Sequence, residues 1–401
     1  MSVDDVEMLE DEQIEEEAIP ENMEEVPDES LVALKVHDKD IFTISLSQDG
    51  KRLLTGGEDD KAVFWNLENV NQGMTLNRLL EGHTDSVVSV AFNGTNTLFC
   101  TADMAGKIQI FDSKTGEKLY DVDYCDDLEW TIWHSQADIL LAGTSSGQIY
   151  MFLLSRKQIE KVKTYTSETN APCVDGRLLP GSQNLLAVYG DGRVISWTLK
   201  DSSYMTLKLH TAATALDAHF EHPLVAVGTG NGVTHIVNTT NMKSVLKLGV
   251  VDKTESEEQV EDSVETVKFA QGYPWIAVGS SNGMLVVYDY ETGQARHECA
   301  HDTMAVVKCM WWKPDANSIR ILSACIDGAV RCWDAKSGDP LLFKCGAGQE
   351  IFDFTMGLVN NEPLVFCACA GGYVRVYRYE EKQLELENDV LQEGDVEKVE
   401  E

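Results

Sequence analysis

The stretch LLTGGEDDKAVFWN, residues 53–66, reads as strand, tight turn, strand: an apolar run, a Gly-Gly-Glu-Asp-Asp turn, and a second apolar run closed by Trp65. Turn residues between two alternating apolar segments are the signal of a β-hairpin. The same pattern returns as LFCTADMAGKIQIFD (98–112), LLAGTSSGQIYMF (140–152), LLAVYGDGRVISW (185–197) and LVAVGTGNGVTHIV (224–237). It continues as WIAVGSSNGMLVVYD (275–289), ILSACIDGAVRCWD (321–334) and LVFCACAGGYVRVY (364–377). Position 65 corresponds to 111, 152, 197, 237, 288, 333 and 377, at spacings of 46, 41, 45, 40, 51, 45 and 44 residues. A period of about 40–45 residues is that of a four-stranded propeller blade. No segment carries a sustained 3.6-residue apolar period, so helical solenoids and α/β folds are excluded.

Eight units across residues 31–378 predict an all-β fold, a single eight-bladed β-propeller. An open ring would leave two strand edges exposed. Leu31–Val36 has strand character without a hairpin partner, and it is expected to close the ring as the outer strand of the blade whose inner strands run from Ile351 to Tyr377. The units resemble WD repeats, and two match that family's hydrogen-bonded tetrad: His37, Thr55, Asp59 and Trp65 in the first, His301, Ser323, Asp327 and Trp333 in the seventh. In such a tetrad the loop histidine meets the turn carboxylate, while the hydroxyl and the indole N–H complete a buried network. The second unit keeps Gly82-His83 and Thr101 but has Ala105 and Phe111. Asp191 and Trp197 survive in the fourth, and Asn231, Asn282 and Gly371 replace the carboxylate in units five, six and eight.

The 401 residues hold 32 Lys plus Arg against 67 Asp plus Glu, a formal charge of −35. Residues 1–30 contain 14 acids and no base; residues 379–401 contain 10 acids and 2 lysines. Dense like charge with few aromatics cannot offset chain entropy by burial, so both are expected to be disordered acidic tails. The sixth unit's surplus, Val250–Asp262, reads as a mobile acidic loop. No run reaches the ~18 apolar residues of a membrane span, and the acidic start lacks a basic targeting signal. Direct nucleic-acid binding and membrane insertion are disfavoured, because either needs a basic footprint.

Ten cysteines form no C-x-x-C and read as reduced thiols; no metal site and no cofactor are expected. His/Asp/Ser sets recurring at blade spacing suit a structural staple rather than one active site. His219-x-x-His222 lacks a third ligand, and Gly228–Gly232 is a hairpin turn without the following helix that a dinucleotide needs. A non-enzymatic protein is expected.

Loops on the tetrad rim precede the inner strand of each unit or join its second and third strands. Those positions hold Asp38, Asp40, Glu58, Asp85, Asp126, Asp127, Glu129, Asp175, Glu261, Asp262, Glu265, Asp302, Glu350 and Asp353, with Phe42, Trp130 and Phe352 interleaved. Carboxylates accept bidentate arginine bonds and aromatic faces take cations. Such a rim suits an extended Lys/Arg-rich peptide. Asp126, Asp127, Glu129 and Trp130 are the first candidates for partner contact, followed by Asp38, Asp40, Phe42, Glu58, Asp85, Glu265, Glu350 and Asp353.

The segment Cys125–His134, CDDLEWTIWH, departs from the generic repeat and places three acids within four residues. With Gly82–Val87 ahead of it and the acidic N-terminal arm, it resembles the angio-associated migratory cell protein family. That resemblance implies a chaperone in ribosome assembly: the fungal relative captures the basic N-terminal segment of a large-subunit ribosomal protein on an acidic propeller face. The other function it implies is a scaffold in signalling, cell migration and angiogenesis. A heparin-binding property described for some vertebrate members is not expected, since no Lys or Arg precedes residue 35. A cytoplasmic monomer is expected, with the nucleus open as a second compartment.

Overall fold

The computed structural model describes residues 27–68, 74–249, 262–301 and 304–381. Most of the two expected tails, residues 250–261 of the expected loop, and the acids Glu261 and Asp302 lie outside the described residues. Eight four-stranded antiparallel sheets form the blades of the propeller. The first strand of each blade lies innermost, and these strands neighbour one another in order around the ring. They are Ile41–Leu46, Val87–Phe92, Leu128–Trp133, Cys173–Leu178, Ala213–Ala218, Val264–Phe269, Val306–Trp312 and Ile351–Val359.

Closure follows the expected route. Val32–Lys35 pairs antiparallel with Tyr373–Arg378, in register from Val32 opposite Val376 to Lys35 opposite Tyr373. The core is divided among the interfaces between consecutive blades. Ile41, Leu53, Trp65, Phe366 and Val376 pack where blade 8 meets blade 1, and Phe64, Phe99 and Phe111 fill the space between blades 1 and 2. Burying one such side chain is worth about 1.5–3 kcal/mol, so an open ring would forfeit a whole interface.

The chain is ordered slightly beyond the expected ring at both ends. Asp28 forms a β-bridge with Gly346 and pairs with Arg375, and Tyr379 is buried in the core between blades 7 and 8. The tail boundaries at 30 and 379 are therefore corrected to leave these anchored residues within the ring.

The first tetrad forms as read. His37 Nδ1 lies 2.8 Å from Asp59 Oδ1, and His37 Nε2 lies 3.0 Å from Thr55 Oγ1, which also accepts the Trp65 indole N–H at 3.3 Å. The second unit, which lacks a carboxylate at Ala105, supplies one from Asp103, two residues earlier: His83 Nδ1 is 3.1 Å from Asp103 Oδ2, and Nε2 is 2.7 Å from Thr101 Oγ1. The seventh tetrad is corrected. His301 Nε2 meets Ser323 Oγ at 2.6 Å, but Arg331 stands between His301 Nδ1 and Asp327 and bonds both. Because the guanidinium can only donate, His301 Nδ1 must accept, and its ring is neutral with the proton on Nε2. Burial first, and the Arg331 charge second, hold the His301 pKa far below its ordinary value.

Candidate functional site: an anionic arc on the tetrad rim

One backbone device builds the rim in all eight blades. The residue just ahead of the inner strand accepts a hydrogen bond from the turn between the second and third strands, as in Glu58 N–H to Asp40 O and Ser145 N–H to Asp127 O, both 2.8 Å. Two residues on, every inner strand is bulged: the register slips between Ile41 and Thr43, Val87 and Ser89, Leu128 and Trp130, and at the five equivalent places. A bulge leaves one residue unpaired and bends the strand. The eight residues so released are Phe42, Val88, Glu129, Val174, Thr214, Glu265, Val307 and Phe352, all half-buried or exposed. They ring the channel mouth. Phe42 and Phe352 meet edge to face with centroids 5.8 Å apart.

The expected partner residues separate into three groups. Asp85, Asp126, Asp127, Glu129, Glu265 and Glu350 are exposed, and none belongs to an ion pair among the described residues. Asp38 and Glu58 are partly neutralised, Asp38 by Lys61 at 2.9 Å and Glu58 by Lys39 at 3.2 Å. Both pairs are surface pairs that solvent screens, so these acids remain on the face with reduced charge.

The third group is structural, and the reading of its members as contact residues is corrected. Trp130 is only 7% exposed; its indole N–H donates to Cys173 O at 2.8 Å, and its ring covers Gly143 and Gly176, where a Cβ would collide with it. Asp353 lies in the channel wall, with Oδ1 2.6 Å from Lys308 Nζ and Oδ2 accepting the Ile44 N–H of the next blade at 3.0 Å. Asp175 is likewise paired, 2.6 Å from Arg177; burial raises its carboxyl pKa while Arg177 opposes the rise. Asp40 is spent on the backbone, accepting the Gly371 N–H at 2.7 Å.

Among the described residues, the expected acids that are exposed and without an ion pair lie on blade 8 (Glu350), blade 2 (Asp85) and blade 3 (Asp126, Asp127 and Glu129), with the lysine-paired Asp38 and Glu58 of blade 1 between them. Glu265 sits apart on blade 6. The arc is densest where blade 2 abuts blade 3. Met104 N–H donates to Ser86 O within blade 2 at 2.9 Å, and Leu128 N–H donates to Met104 O at 2.9 Å, so the second bond fastens the turn of blade 2 to the inner-strand entry of blade 3. Gly106, at φ +88°, permits the approach, since a Cβ there would strike the carbonyls of Cys125 and Asp126. Partial burial, with the Asp127 charge beside it, holds the Glu129 carboxyl above its usual range.

Two residues of this junction escape a reading of the repeat. Met104 is 48% exposed and Tyr124 54% exposed, one in the turn of blade 2 and the other just ahead of Cys125. Each is an exposed large apolar group beside carboxylates. The available signal for Met104 is its turn position, where every other blade except the seventh, with Ile326, carries a small or polar residue; Tyr124 has no comparable signal.

His301, Cys325 and Asp327 bring possible metal ligands within 4.8 Å of one another. They do not fit a cation. The Arg331 guanidinium bonds both His301 and Asp327, placing a fixed positive charge there, and burial pushes the Cys325 thiol up to about 11.

Comparisons with known proteins agree with this architecture. Residues 28–66 and 74–112 match the family model described as WD domain, G-beta repeat, and residues 173–379 match Nucleolar protein 10-like, N-terminal domain. The human angio-associated migratory cell protein is 33% identical over 344 residues, covering 83% of this chain and 76% of the relative. The ribosome assembly protein SQT1 of Saccharomyces cerevisiae is 21% identical over 378 residues, covering 88% of this chain and 84% of the relative. Among solved structures, Saccharomyces cerevisiae Sqt1 superposes with a TM-score of 0.80 at 19% identity, over 89% of this chain and 100% of that one. Chaetomium thermophilum Sqt1 bound to the N-terminus of the ribosomal protein L10 gives 0.76 at 19% identity, over 88% and 100%.

Proposed function

We propose a function for a chain that belongs to the angio-associated migratory cell protein family and, over residues 173–379, to the nucleolar protein 10-like N-terminal domains: it is a non-enzymatic chaperone that holds the basic N-terminal segment of a large-subunit ribosomal protein on its anionic arc. The observation that carries this reading is the junction of blades 2 and 3. There Asp85, Asp126, Asp127 and Glu129 stand without an ion pair among the described residues, beside exposed Met104 and Tyr124.

The chemistry suits an extended cationic strand. A free ribosomal-protein segment rich in Lys and Arg adheres to any RNA through its charge. A preformed arc of carboxylates replaces that attraction without ordering the chaperone, and a net negative field speeds encounter. Glu129 contributes to specificity. Its carboxyl carries a cost of burial and of the neighbouring Asp127, which a bound ammonium or guanidinium relieves. A solved relative of the same fold is described as holding the N-terminus of ribosomal protein L10, and that segment is the client we assign here.

The test is competition. A labelled L10 N-terminal peptide, pre-bound to RNA, is titrated with the purified chain at physiological salt. Transfer of the peptide to the chain is expected. A peptide that stays on the RNA at saturating protein would refute the chaperone reading.

A further inference from the structure

We infer that the groove between the outer strands of blades 4 and 5 is a second docking surface, for a linear acidic peptide with apolar residues between its carboxylates. The two strands are Tyr204–Lys208 and Lys243–Leu248. Neither contains an acid, although the chain carries −35 overall, and each is the last strand of its sheet, with one backbone edge unpaired among the described residues.

Side-chain alternation places the groove walls. Leu207 lies opposite Val194 and reaches the core between blades 4 and 5, so Met205, two residues earlier, shares that face. From blade 5, Lys247 lies opposite His235; His235 is two residues from Val237, a member of the same core. Burial first, and then the charges of Lys247 and His210, hold the His235 pKa below its ordinary value. Met205 is 45% exposed, and Val245, at a bulge in the blade 5 strand, is 57% exposed. The apolar Met205 and Val245 therefore share one solvent-facing cleft with the Lys247 ammonium.

The molecule shows what such a cleft accepts. The outer strands of blades 7 and 8, Pro340–Cys345 and Val32–Lys35, are also acid-free. There the chain's own Asp28-Glu29 crosses from one blade to the other, with Asp28 on Arg375 and Glu29 on Lys344. Blades 4 and 5 also have acid-free outer strands and carry a lysine, Lys247, but no counterpart of Arg375 in those strands; Met205 and Val245 stay exposed there. Charge complementarity points to carboxylates, and the exposed Met205 and Val245 point to apolar side chains between them. This surface is independent of the anionic arc.

The full chain is titrated by fluorescence anisotropy with a labelled peptide of alternating Glu-Val and Asp-Leu pairs, and with octaglutamate as a charge-only control. The mixed peptide is expected to bind at least tenfold more tightly than octaglutamate. Met205→Glu with Lys247→Glu is expected to weaken it at least tenfold, while L10-peptide binding and the melting temperature stay unchanged. Val245→Glu provides the same readout should the double variant fail to fold. The inference is overturned if the mixed peptide does not bind, if octaglutamate equals it, or if folded variants retain native affinity. Removing residues 1–26 should leave the affinity unchanged; a tighter complex would make the chain's own acidic segment the occupant and overturn a separate partner.

Discussion

Arg375 in the last blade takes its carboxylate from Asp28, 347 residues away near the other end of the chain. Arg375 is only 3% exposed and also donates to Gln349 Oε1 at 2.9 Å. It occupies the blade position that Arg331 holds in blade 7, opposite the second strand's hydroxyl or thiol residue: Arg331 faces Ser323 and Arg375 faces Cys367. In both blades a buried guanidinium has replaced the tetrad's plain His-to-Asp contact. In blade 8 its counter-charge comes from the segment that closes the ring.

Asp28→Ala should therefore loosen closure. Removing one partner of a fully buried pair costs about 3–5 kcal/mol, but Asp28 is more than a third exposed. Solvent takes over part of the role, leaving roughly 1–2 kcal/mol. A lower urea midpoint is expected, with Asp28→Asn intermediate. A midpoint equal to the native one would show that Gln349 and Ser30 satisfy Arg375 without Asp28.

Blade 7 should make the ring acid-sensitive. A histidine whose folded pKa lies below its unfolded value binds fewer protons when folded, so stability falls as pH drops below about 6.5. For one such group the slope is at most about 1.4 kcal/mol per pH unit. His301→Gln keeps an acceptor for Arg331 and a donor for Ser323 but does not titrate. Urea midpoints at pH 4.5 and 7.5 should lie closer together in this variant than in the native chain. An unchanged gap would place the acid sensitivity elsewhere.

Trp130 should behave as a core residue. Trp130→Ala is expected to cost about 3–5 kcal/mol, and Gly143→Ala at least ~1–3 kcal/mol by overpacking the same ring. Both are read by thermal melting. If Trp130→Ala melted like the native chain and lost only client binding, the assignment of Trp130 to the blade interface would be wrong.

The repeat made the ring legible. Spacings near 44 residues and eight hairpin signatures were enough for the blade count, and the unpaired Leu31–Val36 pointed to the mode of closure. The first tetrad was legible because its four residues all follow the motif. The seventh was not: Arg331 reads as an ordinary strand residue, and only its place opposite Ser323 shows that it intercepts Asp327. Asp103 escaped for a related reason, since a carboxylate moved by two positions keeps its strand face and so reaches the same histidine. The rim was legible in its charge and less so in its detail. Near a bulge, sequence distance does not say which neighbours project outward. Glu129 therefore stays at the channel mouth while Trp130 turns into the core, and Asp353 enters the channel beside Lys308.

We propose that the carboxylates at the junction of blades 2 and 3, without an ion pair among the described residues, hold a cationic strand of polypeptide. The most direct test is the salt dependence of L10 N-terminal peptide binding to the native chain and to Asp126→Lys, Asp127→Lys, Glu129→Lys combined. All three sites are exposed, so the melting temperature should stay within a few degrees. Native affinity should fall steeply as salt rises past the ~10 Å screening length of 0.1 M, and the triple reversal should lose at least 100-fold, about 2.7 kcal/mol. Native-like affinity in the folded triple variant, or binding indifferent to salt, would contradict the account.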